Sequence, residues 1–292
     1  MRGSNERPIF VIGNPRSGTS LLRLMLTSHP LIVIPPEAGF AVWLYPKYVS
    51  WSPDEGYEAF VADLLGTRKF EFWNLDADQI VRSIDAWGPE DYGALVAAVY
   101  WSYAGSVKPE ATYWGDKNNS YVGEVDLLKT IFPNGRFIHI VRDGRNVAVS
   151  YRRLHQREMR SRYAPSLPFR IGDIAEEWTQ NVLGVDRAVA DLDGHAGALT
   201  VRLEDLTDRP TEILSDICRL LDLRFDASML EYHHLTTRDG GEPTEFLQWK
   251  ERNTRPVEAS DRQEFRVALT AEEIRVFEEI ASAALERFGY VG

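Results

Sequence analysis

Short apolar runs alternate with helical patterns along most of this chain. The run at 8–13 (Pro-Ile-Phe-Val-Ile-Gly) is uninterrupted and ends at a glycine, which predicts a buried parallel strand. A glycine-containing loop follows, then a helical pattern of leucines to about His29, and then a second apolar run at 31–34. Pro30 supports the helix end, because the residue before a proline avoids the helical region. Strand, loop, helix and strand in this order predict the opening of a parallel α/β fold.

The same alternation returns in the second half of the chain. Its apolar spacing predicts a strand over 136–141, a helix over 146–155, a long helix over roughly 174–192, a strand over 199–203 and a helix over 209–222. The stretch at 246–265 is polar and predicts a surface loop. A capping box of Thr270 and Glu273 begins the last helix, which Gly289 ends. We therefore expect one P-loop-like α/β domain over residues 1–292, with a central parallel sheet flanked by helices.

The stretch over 40–114 interrupts this pattern with an unusual density of aromatic residues. It contains six of the 8 Trp residues and 17 of the 33 aromatic residues. Apolar positions within 57–65 and 80–84 have helical spacing, which predicts a helical insert. Most of these aromatic residues should form a core, but their number exceeds what one helical layer needs. We therefore expect some of them to line an apolar pocket.

Composition and charge limit the classes of function. The chain has 292 residues, 44% of them hydrophobic and 26% charged, which is ordinary globular composition and excludes extended disorder. Its formal net charge of -11 argues against a general nucleic-acid coat, which would be basic. The segment 136–170 has nine Arg against two acidic residues, so it carries +7 and the remaining chain carries -18. A positive segment in an acidic protein indicates a local anionic ligand.

Cysteine use and apolar run length bear on the compartment. Cys218 is the single cysteine, so no intrachain disulfide can form, which fits a reducing compartment. Its amphipathic surroundings predict a buried thiol rather than a reactive one. The N-terminal residues are polar, and no apolar run reaches the roughly 18 residues that a membrane span requires. We expect a cytoplasmic protein without a membrane span.

The loop at 13–20 has the composition of an anion-binding loop. Gly13 and Gly18 lie on either side of Arg16, and Thr19 and Ser20 open the helix. Gly18 allows a close backbone approach, the helix N-terminus favours negative charge, and Arg16 adds a full positive charge. The spacing matches a P-loop, except that Thr19 stands where the lysine is expected. A plain glycine turn between a strand and a helix is the simpler alternative.

The missing lysine argues against a nucleoside triphosphatase. That class uses the lysine on the phosphates and an acidic residue near a strand end to hold magnesium. Here the strand over 136–141 is followed by Arg142, a poor metal partner. We therefore expect a phosphate-bearing nucleotide whose chemistry does not use a metal-bound triphosphate.

Two motifs resemble those of sulfotransferases that use 3′-phosphoadenosine 5′-phosphosulfate (PAPS), and are most similar to the tyrosylprotein and bacterial branch. Segment 15–20 (Pro-Arg-Ser-Gly-Thr-Ser) resembles the family's phosphosulfate-binding loop. Segment 141–150 (Val-Arg-Asp-Gly-Arg-Asn-Val-Ala-Val-Ser) resembles its strand and helix for the 3′-phosphate, and 201–206 resembles a later motif with Leu203 replacing the usual aromatic residue. The resemblance extends over most of the chain. It implies the sulfotransferase fold, PAPS as the sulfuryl donor and no metal.

The resemblance also implies which residues bind the nucleotide. From the two motifs these are Arg16, Ser17, Gly18, Thr19, Ser20, Arg142 and Ser150. Ser150 lies about two helical turns beyond Arg142, so both reach one anion only if the loop folds back. From the residues alone, Arg142 could instead form an ion pair with Asp143. In the late basic loop, Lys250 and Arg255 resemble lid ligands, although a charged surface loop explains either residue by itself.

The implied catalytic residues are Glu37, Lys117 and Arg16. Glu37 follows the second predicted strand, where the tyrosylprotein branch has its general base; without the resemblance it would be an exposed loop carboxylate or a helix N-cap. Lys117 resembles the family's central lysine, which contacts the transferring sulfuryl group, but Asn118 and Asn119 follow it where the family often has Thr-Pro. Weaker candidates for the base are Asp116, His155, His233 and His234.

The implied reaction is an in-line transfer of the sulfuryl group to a hydroxyl or amine of an acceptor. The aromatic insert favours a small aromatic, lipid-like or natural-product acceptor, while a sugar or a protein tyrosine stays open. Two rival classes are a P-loop kinase acting on a small molecule and a non-catalytic nucleotide-binding protein. The absent lysine argues against the kinase, and the binding protein would have no use for Glu37 and Lys117.

Overall fold

A five-stranded parallel sheet lies at the centre of the molecule, with the strand order β2-β3-β1-β4-β5. The computed structural model describes residues 7–192, 197–238 and 240–291. The strands are β1 (Ile9–Ile12), β2 (Ile32–Val33), β3 (Tyr113–Lys117), β4 (Arg136–Val141) and β5 (Ala198–Arg202). Strands β1 and β4 are almost wholly apolar because helices cover both faces of the sheet. The prediction of a parallel α/β fold is confirmed.

Helices surround this sheet. They are α1 (Thr19–Ser28), α2 (Phe40–Trp43), α3 (Tyr45–Tyr48), α4 (Glu58–Leu65), α5 (Ala77–Trp87), α6 (Tyr92–Val107), α7 (Val125–Ile131), α8 (Gly144–His155), α9 (Ile171–Val189), α10 (Leu203–Asp208), α11 (Pro210–Leu220), α12 (Leu247–Lys250), α13 (Glu264–Ala268) and α14 (Ala271–Arg287). Short 3-10 helices cover Pro53–Glu55, Phe70–Trp73, Asn119–Gly123, Ala190–Leu192, Ala227–His234, Thr244–Phe246 and Glu251–Thr254. The predicted capping box at the start of α14 is present, since Thr270 accepts a hydrogen bond from the Glu273 amide. No helix in the described residues is both long and apolar enough to cross a membrane.

Strand β3 is the element that the apolar pattern did not predict. Its sequence, Tyr-Trp-Gly-Asp-Lys, has only two apolar residues, yet it lies between β2 and β1 and is buried over most of its length. A side chain at Gly115 would place its Cβ only 2.5 Å from the carbonyl oxygen of Ile9, so glycine is needed for the strands to approach. The strand carries two ionisable residues, Asp116 and Lys117, at its carboxyl end. The helical insert predicted over 40–114 therefore gives way to sheet at Tyr113.

The aromatic insert packs as the core of its own helices against one face of the sheet. Tyr100 on α6 stacks on Trp114 of β3, with ring centroids 4.1 Å apart. Phe40 and Trp73 pack against Tyr100 at 5.5 and 5.0 Å. A groove of about 320 Å³ lies on α5 and α6, and Trp101 is its one aromatic lining residue. That some aromatic residues line an acceptor pocket stays a prediction.

The stretch predicted as a surface loop, 246–265, is folded back onto the protein at its start. Phe246 is fully buried, and Trp249 and Lys250 are 7% and 8% exposed. Segment 247–250 forms α12. The prediction was wrong at this start because Lys250, one of the charged residues that suggested a loop, is paired with carboxylates inside the protein, as described below.

Candidate active site

The phosphate loop connects β1 to α1 as predicted. Gly18 takes the left-handed conformation (φ 92°) just before α1, and the Ser17 amide donates to the Asn14 carbonyl at 3.1 Å. At Gly13 a Cβ would lie 2.3 Å from the Ile140 carbonyl oxygen, so the loop is pressed against β4. The buried Ser17 hydroxyl has no hydrogen-bond partner among the described residues. This hydroxyl is therefore free to bond a ligand or a water molecule in the loop.

The second motif lies directly against this loop. Arg16 donates from Nε to the Ser150 hydroxyl at 3.1 Å, so the loop does fold back towards the helix that carries Ser150. Arg142 donates to the Arg16 carbonyl at 3.2 Å and lies 3.6 Å from Glu264. Asp143 pairs with Arg145 at 2.7 Å instead, which answers the open question about the partner of Arg142.

Two arginines that the sequence analysis did not select, Arg157 and Arg252, act electrostatically on Arg16. Burial lowers the pKa of Arg16 to about 10, and the positive charges of Arg142, Arg157 and Arg252 act in the same direction. Arg157 donates to the Gln248 carbonyl at 3.1 Å, beside the Trp249 carbonyl that Arg16 contacts. Arg255, which was selected, is 71% exposed and lies 3.7 Å from Glu251, so the structure does not bring it into the cluster.

The rest of the positive segment is largely neutralised by distant acidic residues. Arg152 pairs with Glu273 at 2.6 Å, Arg153 pairs with Glu264, and Arg162 pairs with Glu71 at 2.7 Å. Arg145 pairs with Asp143 and Glu278 and also stacks on Phe265. Arg145, Arg152 and Arg153 therefore hold α8 to its neighbours, whereas Arg142 contacts the phosphate loop directly.

Glu37 lies in a buried cluster of lysines. It is 6% exposed and forms an ion pair with Lys117, which is fully buried at the end of β3. Lys69 from the insert contacts its other oxygen at 2.6 Å, and Lys250 from α12 lies 3.7 Å away. The predicted residues Glu37, Lys117 and Lys250 are therefore brought together. Lys69 was missed because nothing in its sequence neighbourhood distinguishes it from a solvated lysine.

Electrostatics in this cluster favour the charged form of Glu37. Burial raises the pKa of Glu37, but the attraction of Lys117, Lys250 and Lys69 outweighs burial and holds the pKa well below its usual range. Burial lowers the pKa of Lys117 to about 8, while Glu37 opposes that shift. The backbone of Lys69 is itself in the left-handed region (φ 73°), a conformation that non-glycine residues adopt at a cost.

A second carboxylate, Glu242, extends the cluster to α1. It accepts a bond from Lys250 at 2.9 Å and from Arg23 at 3.0 Å. Burial raises the pKa of Glu242, but Lys250, Arg23 and Lys117 outweigh burial and lower it to about 2. Glu242 and Arg23 were also missed, and no motif marks them. Their 219-residue separation in sequence gives no local signal.

The phosphate loop and the lysine cluster are joined at two points. Arg16 donates to the carbonyl of Trp249, the residue before Lys250, at 2.9 Å. Thr19, at the position of the P-loop lysine, donates to the side chain of Asn119 at 3.1 Å. Asn119 lies two residues after Lys117, so the loop is connected to the cluster beside Lys250 and near Lys117. The Asn118 side chain accepts the Ser120 amide and begins the 3-10 helix there.

Asp116 lies on the opposite side of β3 from Lys117, because side chains alternate along a strand. It accepts hydroxyl bonds from Tyr100 and Tyr121, both at 2.5 Å. Burial raises the pKa of Asp116 to about 6, although both tyrosines oppose this shift. This environment ties Asp116 to the packing of α6.

None of the three candidate histidines contacts Glu37 in the described structure. His155 is exposed on α8, with its Nε2 3.0 Å from the Leu167 carbonyl. His233 and His234 are next to Glu231 in the 3-10 helix 227–234. Among the candidate bases, Glu37 is thus the one whose carboxylate forms an ion pair with the Lys117 ammonium group.

Two solved sulfotransferase domains have a fold similar to that of this chain. A sulfotransferase domain from the curacin biosynthetic pathway superposes with a TM-score of 0.61 at 18% identity, covering 96% of this chain and 99% of that one. A sulfotransferase domain from the Synechococcus PCC 7002 olefin synthase gives a TM-score of 0.56 at 22% identity, covering 96% and 98%. At these identities the likeness concerns the fold.

Sequence relatives and a family pattern extend the comparison. The chain is 24% identical over 238 residues to a putative protein-tyrosine sulfotransferase of Caenorhabditis briggsae (80% of this chain, 72% of that protein). It is 26% identical over 244 residues to protein-tyrosine sulfotransferase 2 of Gallus gallus (82% and 58%) and 27% identical over 243 residues to an uncharacterized protein of Aquifex aeolicus (78% and 27%). It thus spans only part of each relative. The pattern of the sulfotransferase family matches residues 8–227, and the chain belongs to that family.

Proposed function

We propose that this protein transfers the sulfuryl group of PAPS to a hydroxyl or amine of an acceptor. One observation carries the proposal: the phosphate loop and the buried Glu37–Lys117 pair are joined to one another at the carboxyl end of the sheet. Ligands of parallel α/β sheets bind at this edge. The donor supplies the sulfuryl group when bound, and adenosine 3′,5′-bisphosphate is the leaving product.

The residues present fit such a donor. The unpartnered Ser17 hydroxyl, the backbone of the loop around Gly18 and the N-terminus of α1 would hold the phosphosulfate. Arg142 and Ser150 would hold the 3′-phosphate, with the positive charge of Arg252 in support, since guanidinium groups bind phosphate in a charge-assisted, bidentate manner. Arg255 in the same late loop is a further proposed ligand.

Charge in the cluster also fits an anionic ligand. Four cations (Lys69, Lys117, Lys250 and Arg23) meet two carboxylates (Glu37 and Glu242), which leaves a surplus of two positive charges. Buried charge is expensive unless it is compensated. A phosphosulfate group brings two negative charges, so its binding would complete the compensation.

Glu37 is proposed as the general base and Lys117 as the group that stabilises charge on the sulfuryl oxygens, with Arg16 assisting. The three lysines hold the pKa of Glu37 well below its usual range. A carboxylate held in this way is a weak base. Lysines that turn to an anionic donor attract Glu37 less, so its pKa would rise towards the usual range and it could accept the acceptor's proton.

The acceptor is proposed to be small and aromatic, lipid-like or a natural product, because the insert is rich in aromatic side chains. Aromatic side chains favour acceptors that bring apolar area. A panel of phenols, long-chain alcohols, hydroxylated natural products, sugars and tyrosine peptides separates these classes.

The test is sulfate transfer from radiolabelled PAPS to that panel, with Glu37→Gln compared with Glu286→Gln. Loss of a general base lowers turnover by roughly 100-fold or more, whereas the exposed Glu286 on α14 should be silent. Calorimetry should find that Glu37→Gln still binds adenosine 3′,5′-bisphosphate. Wild-type turnover in Glu37→Gln would remove it as the base, and absence of both transfer and nucleotide binding in the unmodified protein would reject the proposal.

The nucleotide site is tested separately with analogues. Arg142→Ala and Arg252→Ala should each weaken adenosine 3′,5′-bisphosphate at least tenfold while changing the affinity for 5′-AMP much less, because a charge-assisted phosphate contact contributes about 1.5–3 kcal/mol. Arg255→Ala is the comparison in the same loop, where the 71% exposure of Arg255 and its pairing with Glu251 predict a smaller effect than that of Arg142→Ala. Equal losses for both nucleotides would mean that these arginines do not read the 3′-phosphate.

A further inference from the structure

Outside the candidate active site, one turn brings two histidines and a glutamate together. Glu231, His233 and His234 lie at the end of the 3-10 helix Ala227–His234. The Oε2 atom of Glu231 is 3.2 Å from Nε2 of His234 and 3.8 Å from Nε2 of His233. The two imidazole rings are 4.1 Å apart, and the three candidate donor atoms all lie within 4.8 Å of one another.

The local backbone explains this convergence. Residues three apart eclipse in a 3-10 helix, which places Glu231 and His234 on one face. The backbone of Glu231 leaves regular helical geometry (φ -92°, ψ 17°). His233 follows this kink, and its Nε2 faces Oε2 of Glu231.

These distances match the spacing of ligands around a small divalent transition metal. A tetrahedral ion with bonds of about 2.0–2.1 Å to imidazole nitrogen and carboxylate oxygen has ligand–ligand separations of roughly 3.3–3.4 Å. The separations of 3.2 and 3.8 Å lie on either side of that value. Two imidazoles with one carboxylate suit zinc and its neighbours, whereas magnesium and calcium prefer sites made of oxygen alone.

Side-chain hydrogen bonds from Ser228, Tyr232 and Thr236 hold the turn in place. Ser228 donates to the Ser28 carbonyl at the end of α1 at 2.8 Å, and Tyr232 donates to the Arg255 carbonyl at 2.7 Å. Thr236 donates to the Asn253 carbonyl at 2.6 Å. These bonds fix the backbone before a metal arrives, so binding would order few additional groups.

Exposure leaves room for further ligands. Glu231 and His234 each expose 62% of their side chains, so solvent can reach the cluster and water can complete the coordination. His233 is 14% exposed, and its buried Nδ1 has no partner among the described residues. Its Nε2, which faces Glu231, is therefore the nitrogen available to an incoming ion.

We propose that Glu231, His233 and His234 bind one zinc-class divalent ion at a site separate from the nucleotide site. The ion would crosslink the end of the 3-10 helix 227–234. Tyr232 in that helix and Thr236 just after it hold segment 253–255, next to Arg252. A bound ion would thus stabilise the late loop against α1.

The experiment titrates zinc chloride into the full chain, free of purification tags and stripped with a chelator, by isothermal calorimetry. We expect one equivalent to bind saturably and magnesium chloride to give no saturable signal. His234→Ala, His233→Gln and Glu231→Gln should each weaken zinc at least tenfold, because each removes one of three ligands. His155→Ala, an exposed histidine on α8, is the matched control and should bind as the unmodified protein does.

A second measurement does not depend on heat of binding. Cobalt(II) replacing zinc should give a visible spectrum typical of four-coordination, and zinc should raise the melting temperature of the unmodified protein but not that of His234→Ala. Circular dichroism establishes that each variant is folded. The site is overturned if the unmodified protein shows no saturable zinc binding, if all three variants keep its affinity, or if His155→Ala loses binding as they do.

Discussion

Arg23 offers the sharpest test of how the buried charge cluster is built. It is 1% exposed on α1, immediately after the phosphate loop. It donates to the carbonyls of Ile34, Gly240 and Gly241 and to the Glu242 carboxylate, at 2.8 to 3.2 Å. In Arg23→Met the three carbonyls and one carboxylate oxygen would lose their charged donor without gaining access to water.

The expected cost follows from burial on both sides of the pair. Both side chains of the Arg23–Glu242 pair are 1% exposed, so solvent does not screen it. Removing one partner of a buried pair destabilises by about 3–5 kcal/mol, because the other charge stays buried. The control is Arg262→Met, whose side chain is 43% exposed and pairs with Asp205 and Asp208. An exposed pair contributes at most about 1 kcal/mol, so this variant should unfold almost as the unmodified protein does.

Urea unfolding of a double-mutant cycle measures the coupling directly. Glu242→Leu alone leaves Arg23 and Lys250 without their carboxylate, whereas Arg23→Met with Glu242→Leu removes both members of the pair. The double variant should therefore be more stable than the sum of the single losses predicts, by about 1–3 kcal/mol. Additive losses, or a loss in Arg23→Met no larger than in Arg262→Met, would refute the reasoning. Arg23→Met should also weaken adenosine 3′,5′-bisphosphate, because the cluster loses one of its two surplus positive charges while Glu242 still pairs with Lys250.

Two further perturbations test local features. Burial lowers the pKa of His139 to about 4, whereas its ordinary value is 6.5. As pH falls, the unfolded chain therefore takes up the proton first, and the free energy of unfolding decreases from about pH 7 down to about pH 4. The contribution of His139 to this loss is about 3 kcal/mol, at about 1.36 kcal/mol per pH unit. It should be absent in His139→Leu when urea unfolding is compared at pH 7.5 and 4.5. If the unfolding free energies of the variant and the unmodified protein changed in parallel with pH, the reasoning would be wrong. Gly18→Ala should destabilise by at least about 1–2 kcal/mol, since φ is 92° and its Cβ would lie 2.5 Å from Leu203. In Gly184→Ala on α9 the added methyl group meets open space, so this variant should be more stable than the unmodified protein by up to about 1 kcal/mol. Thermal melts compare the two glycine variants, and a stability change of the same sign in both would count against this account.

The fold was predictable where burial and apolar character coincide. The apolar runs at 8–13 and 136–141 gave β1 and β4, since a strand covered on both faces must be apolar. Strand β3 was not predictable in this way. Its buried side chains Asp116 and Lys117 pair with residues elsewhere in sequence, Tyr100 and Glu37, so polarity gives the wrong signal.

The residues of the candidate site were likewise predictable only where a local sequence pattern marks them. Residues within the two motifs, such as Arg16, Arg142 and Ser150, were found because local spacing marks them, and the structure brings them together. Lys69 and Glu242 carry no local mark. Their place follows from charges 32 and 8 residues away, which only the folded chain assembles.

The buried charges form a chain of alternating sign: Arg23, Glu242, Lys250, Glu37 and Lys117. Each interior member (Glu242, Lys250 and Glu37) has an opposite charge on either side, which compensates the cost of burying it. Both ends of the chain are positive, however, so it is not a closed salt-bridge core. A neutral arrangement would resist a new anion, whereas this one leaves positive charge beside the phosphate loop and a carboxylate between two lysines. That asymmetry gives the same group of residues a reason to hold an anion and a base at one place.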